Sequence, residues 1–233
     1  MESHLEMELD RLRQHLLTMA SHAESAVSLA LQALITRDSD LAQRVKEDDR
    51  IIDRFEVEID NEAMRLLTKA PLATDLRVVT VSMKISQNFE RIGDEASKIA
   101  KRARDLCLEP PLKLQLEVPR LAGLALDMLK AALEAFSHRD SAAARALIPR
   151  DREVNDVNRQ IHAALVRQMM DDPATISRCL HLLVVAKSLE RIADHATNVA
   201  EYVIYCCEAR DIRLTSRSPI QPAWSPAPAT VTR

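Results

Sequence analysis

The sequence predicts an all-α fold, two tandem three-helix bundles made by internal duplication. Three observations lead there. First, Glu90-Arg91-Ile92-Gly93-Asp94 returns one hundred residues later as Glu190-Arg191-Ile192-Ala193-Asp194, and six of the twelve positions from Glu90 and from Glu190 are identical. Self-similarity at a fixed offset in so short a chain marks a repeat. Second, two Gly and 3% aromatic residues in 233 positions argue against sheet. Tight turns need Gly and strands favour aromatic residues. Third, apolar residues recur at three- and four-residue spacing in long runs separated by prolines, the pattern of amphipathic helices.

Each element has its own signal. From Leu5 to Ile35, Leu9, Leu12, Leu16, Met19, Ala23, Ala26, Ala30 and Leu34 form one stripe, so this is one long helix. Asp38 or Ser39 caps the next helix by accepting from a first-turn N–H. That helix runs to about Lys69 and buries Leu41, Val45, Ile52, Ile59 and Leu66, and Pro71 ends it, because proline disfavours the α conformation in the residue before it. A third helix from Leu72 to Cys107 buries Ile85, Phe89, Ile92, Ala96, Ile99 and Ala103. Pro110, Pro111 and Pro119 bracket a linker. The second half repeats the plan. A fourth helix covers Arg120–Ser137, and Arg139-Asp140-Ser141, matching Arg37-Asp38-Ser39, opens a fifth, which Pro149 should kink. Pro173 begins the sixth, which ends near Arg210. The expected units are 1–109, 110–212 and a tail at 213–233 that holds four prolines and Trp224, expected to be disordered and read as a variable extension rather than a docking element.

Composition excludes several functions. A formal charge of −3 does not suit a nucleic-acid scaffold. The N-terminus has no apolar core of a signal peptide. The uncharged run Ser25–Thr36 within the first helix is too short to span a bilayer. Cys107, Cys179, Cys206 and Cys207 show no CxxC spacing and read as thiols of an intracellular protein. A phosphate-cradling GxxxxGK[ST] loop and a Gly-x-Ser-x-Gly elbow are both lacking.

The candidate site lies in the repeated motif. Glu90 and Asp94 share one helix face about 5–6 Å apart, where like charges repel; Glu190 and Asp194 repeat the pair. On the preceding helix Asp49, Asp53, Glu56 and Asp60 line one strip, and their counterparts are Asp151, Asn155, Asn158 and His162. Counting outward from the hairpin turns, the two polar pairs of the first half differ in height by roughly 4.5 Å and those of the second by roughly 1.5 Å. Each hairpin thus brings four oxygen-bearing side chains to nearly one level, a donor set for a hard or borderline cation. The other reading is a solvated acidic face, with Arg91, Lys98 and Lys101 as surface ion pairs. Duplication and matched height favour the cation in the first half. In the second, neutral Asn155 leaves both readings open. His195 and His162 are possible extra ligands.

The duplicated Glu-Arg-Ile-Gly/Ala-Asp motif, followed in the second copy by His195-Ala196-Thr197-Asn198-Val199-Ala200-Glu201, resembles the PhoU family of phosphate-uptake regulators. Pro71-Leu72-Ala73-Thr74-Asp75-Leu76-Arg77 is similar to that family's signature at the start of its third helix, and the resemblance covers roughly residues 4–210. It implies two three-helix bundles, a cytoplasmic homodimer, and multinuclear clusters of divalent or trivalent metal ions (iron, zinc, manganese or magnesium). The ligands it implies are Asp49, Asp53, Glu90 and Asp94 in the first half and Asp151, Asn155, Glu190 and Asp194 in the second. Two positions depart: Asn155 stands for an Asp, and Lys98 stands where Asn198 has the usual residue. The implied role is a non-enzymatic adaptor between the ATPase subunit of a phosphate ABC transporter and a sensor histidine kinase, repressing the phosphate-starvation response. The alternative is a carboxylate-bridged metal enzyme, a phosphatase or a di-iron protein; no His here has Glu three residues before it, which the di-iron type requires.

Overall fold

The computed structural model describes residues 4–69, 72–112, 114 and 116–213. These form α1 (His4–Thr36), α2 (Ser39–Leu67), α3 (Ala73–Cys107), α4 (Val118–His138), α5 (Ser141–Leu147), α6 (Asp151–Asp171) and α7 (Ile176–Glu208), with single 3-10 turns at Ile148–Arg150 and Pro173–Thr175. No strand occurs among the described residues. The role of Pro71 as a terminator and the tail from residue 214, with Trp224, lie outside them.

The stripes read from the sequence are largely the buried ones; Leu9, Ala26 and Leu34 of α1 are only half-buried. Leu12, Leu16 and Met19 of α1, Ile52 and Ile59 of α2 and Ile85, Phe89, Ile92 and Ile99 of α3 are all at most 2% exposed. The second bundle buries Leu121, Met128 and Leu129 of α4, Ile161 of α6 and Leu189 and Ile192 of α7 in the same way. Each such side chain contributes about 1.5–3 kcal/mol. The bundles join through α3 and α7, which run antiparallel: from α3 to α7, Asn88 meets His195, Glu95 meets Arg191 and Arg102 meets His181.

Where six helices are expected, seven form among the described residues. Pro149 breaks the fifth rather than bending it: its ring cannot sit in a regular turn, the chain tightens to 3-10 over Ile148–Arg150, and α6 restarts at Asp151. Proline is tolerated in a first turn, where its missing N–H has no partner to lose. Pro119 therefore belongs to α4, not to the linker, and α4 starts at Val118. Pro173 opens a 3-10 turn before α7. The repeated Arg-Asp-Ser has a structural purpose. Arg37 and Arg139 both take the left-handed conformation, φ 55° and 53°, that reverses the chain. Asp38 and Asp140 then cap α2 and α5, accepting from Leu41 N at 2.8 Å and from Ala142 N and Ala143 N at 2.9 Å.

Candidate metal centre

In the first hairpin Asp49 and Asp53 on α2 face Glu90 and Asp94 on α3. The apolar stripes of both helices are locked in the core, so the strips beside them must meet at the seam. Gly93 sets how closely. A Cβ there would stand 2.8 Å from Ile52 Cδ1 and 3.2 Å from Asp49 Oδ1, so the missing side chain lets α2 press Asp49 against α3. In the second copy Ala193 fills that position.

The first cluster is electrostatically unfavourable by itself. Burial pushes Asp49 up from the usual carboxylate range; nearby Ser97 opposes this without reaching hydrogen-bonding geometry, while Asp53 and Asp94 add to it. Burial also raises Glu90, with Asp94, Glu56 and Asp53 adding and Arg91 opposing. Glu56 is raised by burial and then by Asp60. Arg91 is the cation in contact, 3.3 Å from Glu90 Oε2 and 3.6 Å from Asp94 Oδ2. Burial is uneven across the cluster: Asp49 is half-buried and the Glu90 side chain 17% exposed, while the Asp94 side chain is 37% exposed and Asp53 is exposed.

The second hairpin is knit instead by hydrogen bonds. Asn155 Nδ2 donates to Asp151 Oδ2 at 2.7 Å, Asn158 Nδ2 donates to Glu190 Oε2 at 3.1 Å, and Lys187 also holds Glu190. Asp151 is still raised, by burial first and by Glu190, with Asn155 and Asp194 opposing. Asn158 is the contact that the site assignment from sequence omits. Its signal was there, since it is the counterpart of Glu56 on the strip.

Among the described residues six buried side-chain oxygens make no hydrogen bond: Glu62 Oε2 beside α1, Glu95 Oε2 beside α7, and four at the hairpin seams, Glu90 Oε2 and Ser97 Oγ in the first, Asp151 Oδ1 and Thr197 Oγ1 in the second. Buried polar atoms nearly always have partners, and Ser97 and Thr197 occupy the same position in the two copies. Carboxylate and hydroxyl oxygens without partners form a donor set that fits a hard cation. Among the described residues no three Asp, Glu, His or Cys side chains already converge as ligands do. The two histidines lie apart from this chemistry. His195 Nδ1 is 2.9 Å from Asn88 Oδ1 in the α3–α7 contact, where burial lowers its pKa, and His162 is exposed.

Residues 16–103 and 118–203 each match the sequence pattern of the PhoU domain. The chain is 41% identical over 208 residues to the Pseudomonas aeruginosa "Phosphate-specific transport system accessory protein PhoU homolog", covering 88% of this chain and 86% of that one. It is 40% identical over 214 residues to the Caulobacter vibrioides protein of the same name, covering 91% and 92%. Among solved structures, the crystal structure of PhoU from Pseudomonas aeruginosa superposes with a TM-score of 0.85 at 41% identity, covering 88% of this chain and 99% of that one. That of the phosphate transport system regulatory protein PhoU from Streptococcus pneumoniae gives 0.83 at 26% identity, covering 89% and 98%. Two matched repeats, the paired carboxylates they carry and relatives similar over most of their length place the chain in the PhoU family.

Proposed function

We propose that the chain is a metal-binding accessory of phosphate-specific transport, a cytoplasmic homodimer that restrains phosphate uptake and the phosphate-starvation response. It links the ATPase subunit of the transporter to a sensor histidine kinase. The observation that carries the metal reading is the set of buried oxygens that make no hydrogen bond, Glu90 Oε2, Ser97 Oγ, Asp151 Oδ1 and Thr197 Oγ1, beside carboxylates raised first by burial and then by the charges of their neighbours. Asp49, Asp53, Glu90 and Asp94 hold the first cation, and Asp151, Asn155, Glu190 and Asp194 the second. A bound cation supplies the positive charge that lets these carboxylates stay ionised side by side. The protein's own contribution is placement: α2 and α6 set one pair, α3 and α7 the other, and Gly93 fixes the first gap.

The transport reading rests on the relatives, named as phosphate-specific transport accessory proteins. No helix among the described residues is long and apolar enough to cross a membrane, so contact with a transporter would come through its peripheral subunit. Affinity capture from phosphate-replete cells tests this. Recovery of the transporter ATPase and the kinase is the expected result; recovery of neither refutes the adaptor. Metal analysis of the purified protein tests the site separately, and a chain free of iron, zinc, manganese and magnesium after purification without chelator refutes that part.

A further inference from the structure

Where α3 and α7 meet the break at Pro149, an open cleft of about 860 Å³ runs between the two halves. Small-molecule sites span about 300–1,000 Å³, so this one is far larger than a single ion requires. Its cationic side chains come from three helices: Arg91 and Lys98 from α3, Arg152 from α6 and Arg191 from α7. Their charge is only partly cancelled in place: Arg91 contacts Glu90 Oε2 and Asp94 Oδ2 at 3.3 and 3.6 Å. Lys98 Nζ and Arg191 Nη1 share one oxygen, Glu95 Oε1, at 2.9 and 3.2 Å, so a single carboxylate answers two cations. Arg152 is exposed and forms no ion pair among the described residues.

The same cleft is lined by Asp151 and Asp194 of the second hairpin, while Asp49, Asp53, Glu90 and Asp94 do not line it. Glu201 also lines it but is buried, 3% exposed. A cleft that gathers four guanidinium and ammonium groups, equal in number to its carboxylates, and sets them beside the Asp151–Asp194 pair complements a ligand with the same two-part charge. Guanidinium forks match phosphoryl oxygens in geometry as well as in sign.

We infer that this cleft binds a phosphate oligoanion with its chelated divalent cation, the phosphoryl oxygens on Arg91, Lys98, Arg152 and Arg191 and the cation on Asp151 and Asp194. This rests on the cation-binding reading of the second hairpin. A lone phosphate engages only part of the cationic wall and leaves most of the volume empty. Inorganic pyrophosphate and a nucleoside triphosphate carry the same chemistry, and their magnesium complexes separate the two sources.

Calorimetric titration of the full chain in magnesium buffer tests it, with magnesium pyrophosphate, magnesium ATP and magnesium sulfate as parallel probes. The phosphate complexes are expected to bind saturably and sulfate not at all. Equal affinities assign recognition to the phosphates, and tighter ATP adds the nucleoside. Arg152→Ala and Lys98→Gln should each weaken binding about tenfold through a lost charge-assisted contact, with helical content unchanged by circular dichroism. No saturable heat from either complex, or affinities unmoved in both variants, overturns the inference. Manganese titrated alone, followed by its paramagnetic signal, keeps the two failures apart. Manganese bound without any phosphate complex overturns this inference and leaves the metal reading standing. Pyrophosphate bound equally well without any divalent cation overturns the chelated form.

Discussion

Glu95 shows how one buried carboxylate is kept charged. Its side chain is 5% exposed. Burial by itself would raise its pKa, but nearby Ser188, the hydrogen bonds from Lys98 and Arg191 and the Lys98 charge outweigh burial and hold it below the usual range. A group depressed in the fold contributes stability above its unfolded value, about 4.3, and loses it as pH falls through the folded value. Glu95→Gln should therefore lower stability at pH 7 by about 2 kcal/mol, a charged hydrogen bond's worth. That deficit should shrink as pH falls below 4; melts showing a deficit independent of pH would refute the assignment. Glu90 is the opposite case, raised by burial and by Asp94. Replacing Glu90 and Asp94 with Gln and Asn removes repulsion, so chelator-stripped protein should melt at or slightly above wild type. In metal-replete buffer the same change removes a ligand set that binds only the folded chain, at a loss of about 2.7 kcal/mol when metal stands at 100 times its dissociation constant. The two readings differ in sign, and a variant melting at or above wild type in both buffers would end the metal claim.

At the scale of elements, the turns carry what periodicity misses. The apolar stripes of α1, α2 and α3 are legible from spacing because a 3.6-residue period admits one buried face, and those residues are buried except Leu9, Ala26 and Leu34 of α1, which are half-buried. The break at Pro149 is legible as a disturbance but not as a new helix start, since whether the chain bends or restarts depends on how α5 and α6 separately pack against α7. The left-handed backbone at Arg37 and Arg139 was not legible at all, because Gly or Asn usually fills that conformation. An L-residue there sits about 1–2 kcal/mol above a right-handed one, while Gly brings back about 0.5–1 kcal/mol of unfolded-chain entropy. Arg139→Gly should thus raise stability by about 0.5–1 kcal/mol. Arg37→Gly should gain less, because the Arg37 guanidinium donates to the carbonyls of Leu106, at 2.6 Å, and Glu109, tying the α1–α2 turn to the end of α3. Denaturant unfolding of the two variants checks the order; an equal gain in both would mean that the Arg37 bonds contribute nothing.

Across the whole molecule, duplication has yielded two unequal hairpins. The sequence shows the inequality as composition, four carboxylates against three and Asn155. It does not show how the weaker side compensates, because that depends on which side chains reach across a seam whose width Gly93 narrows in one copy and Ala193 does not in the other. In the second hairpin Asn155 and Asn158 donate to Asp151 and Glu190, and Lys187 joins them, so much of its charge is answered before any cation arrives. In the first, Asp49, Glu56 and Glu90 are all raised, and among the described residues Arg91 is the one cation in contact with the pair on α3. A cation entering the second site must displace those donors from oxygens it needs, whereas in the first it relieves repulsion outright. Fewer anionic ligands also hold a cation less tightly. Competitive chelation should therefore empty the second site first. The ranking is read by metal content per chain during stepwise chelation of wild type, Asp49→Asn and Asp151→Asn. Wild type should lose its metal in two steps. Asp151→Asn should delete the early, weak step and leave the late one, and Asp49→Asn should move the late step earlier. Equal retention by the two variants would show that the hydrogen bonds of the second hairpin give way as readily as solvent does, and the order of the sites would be lost.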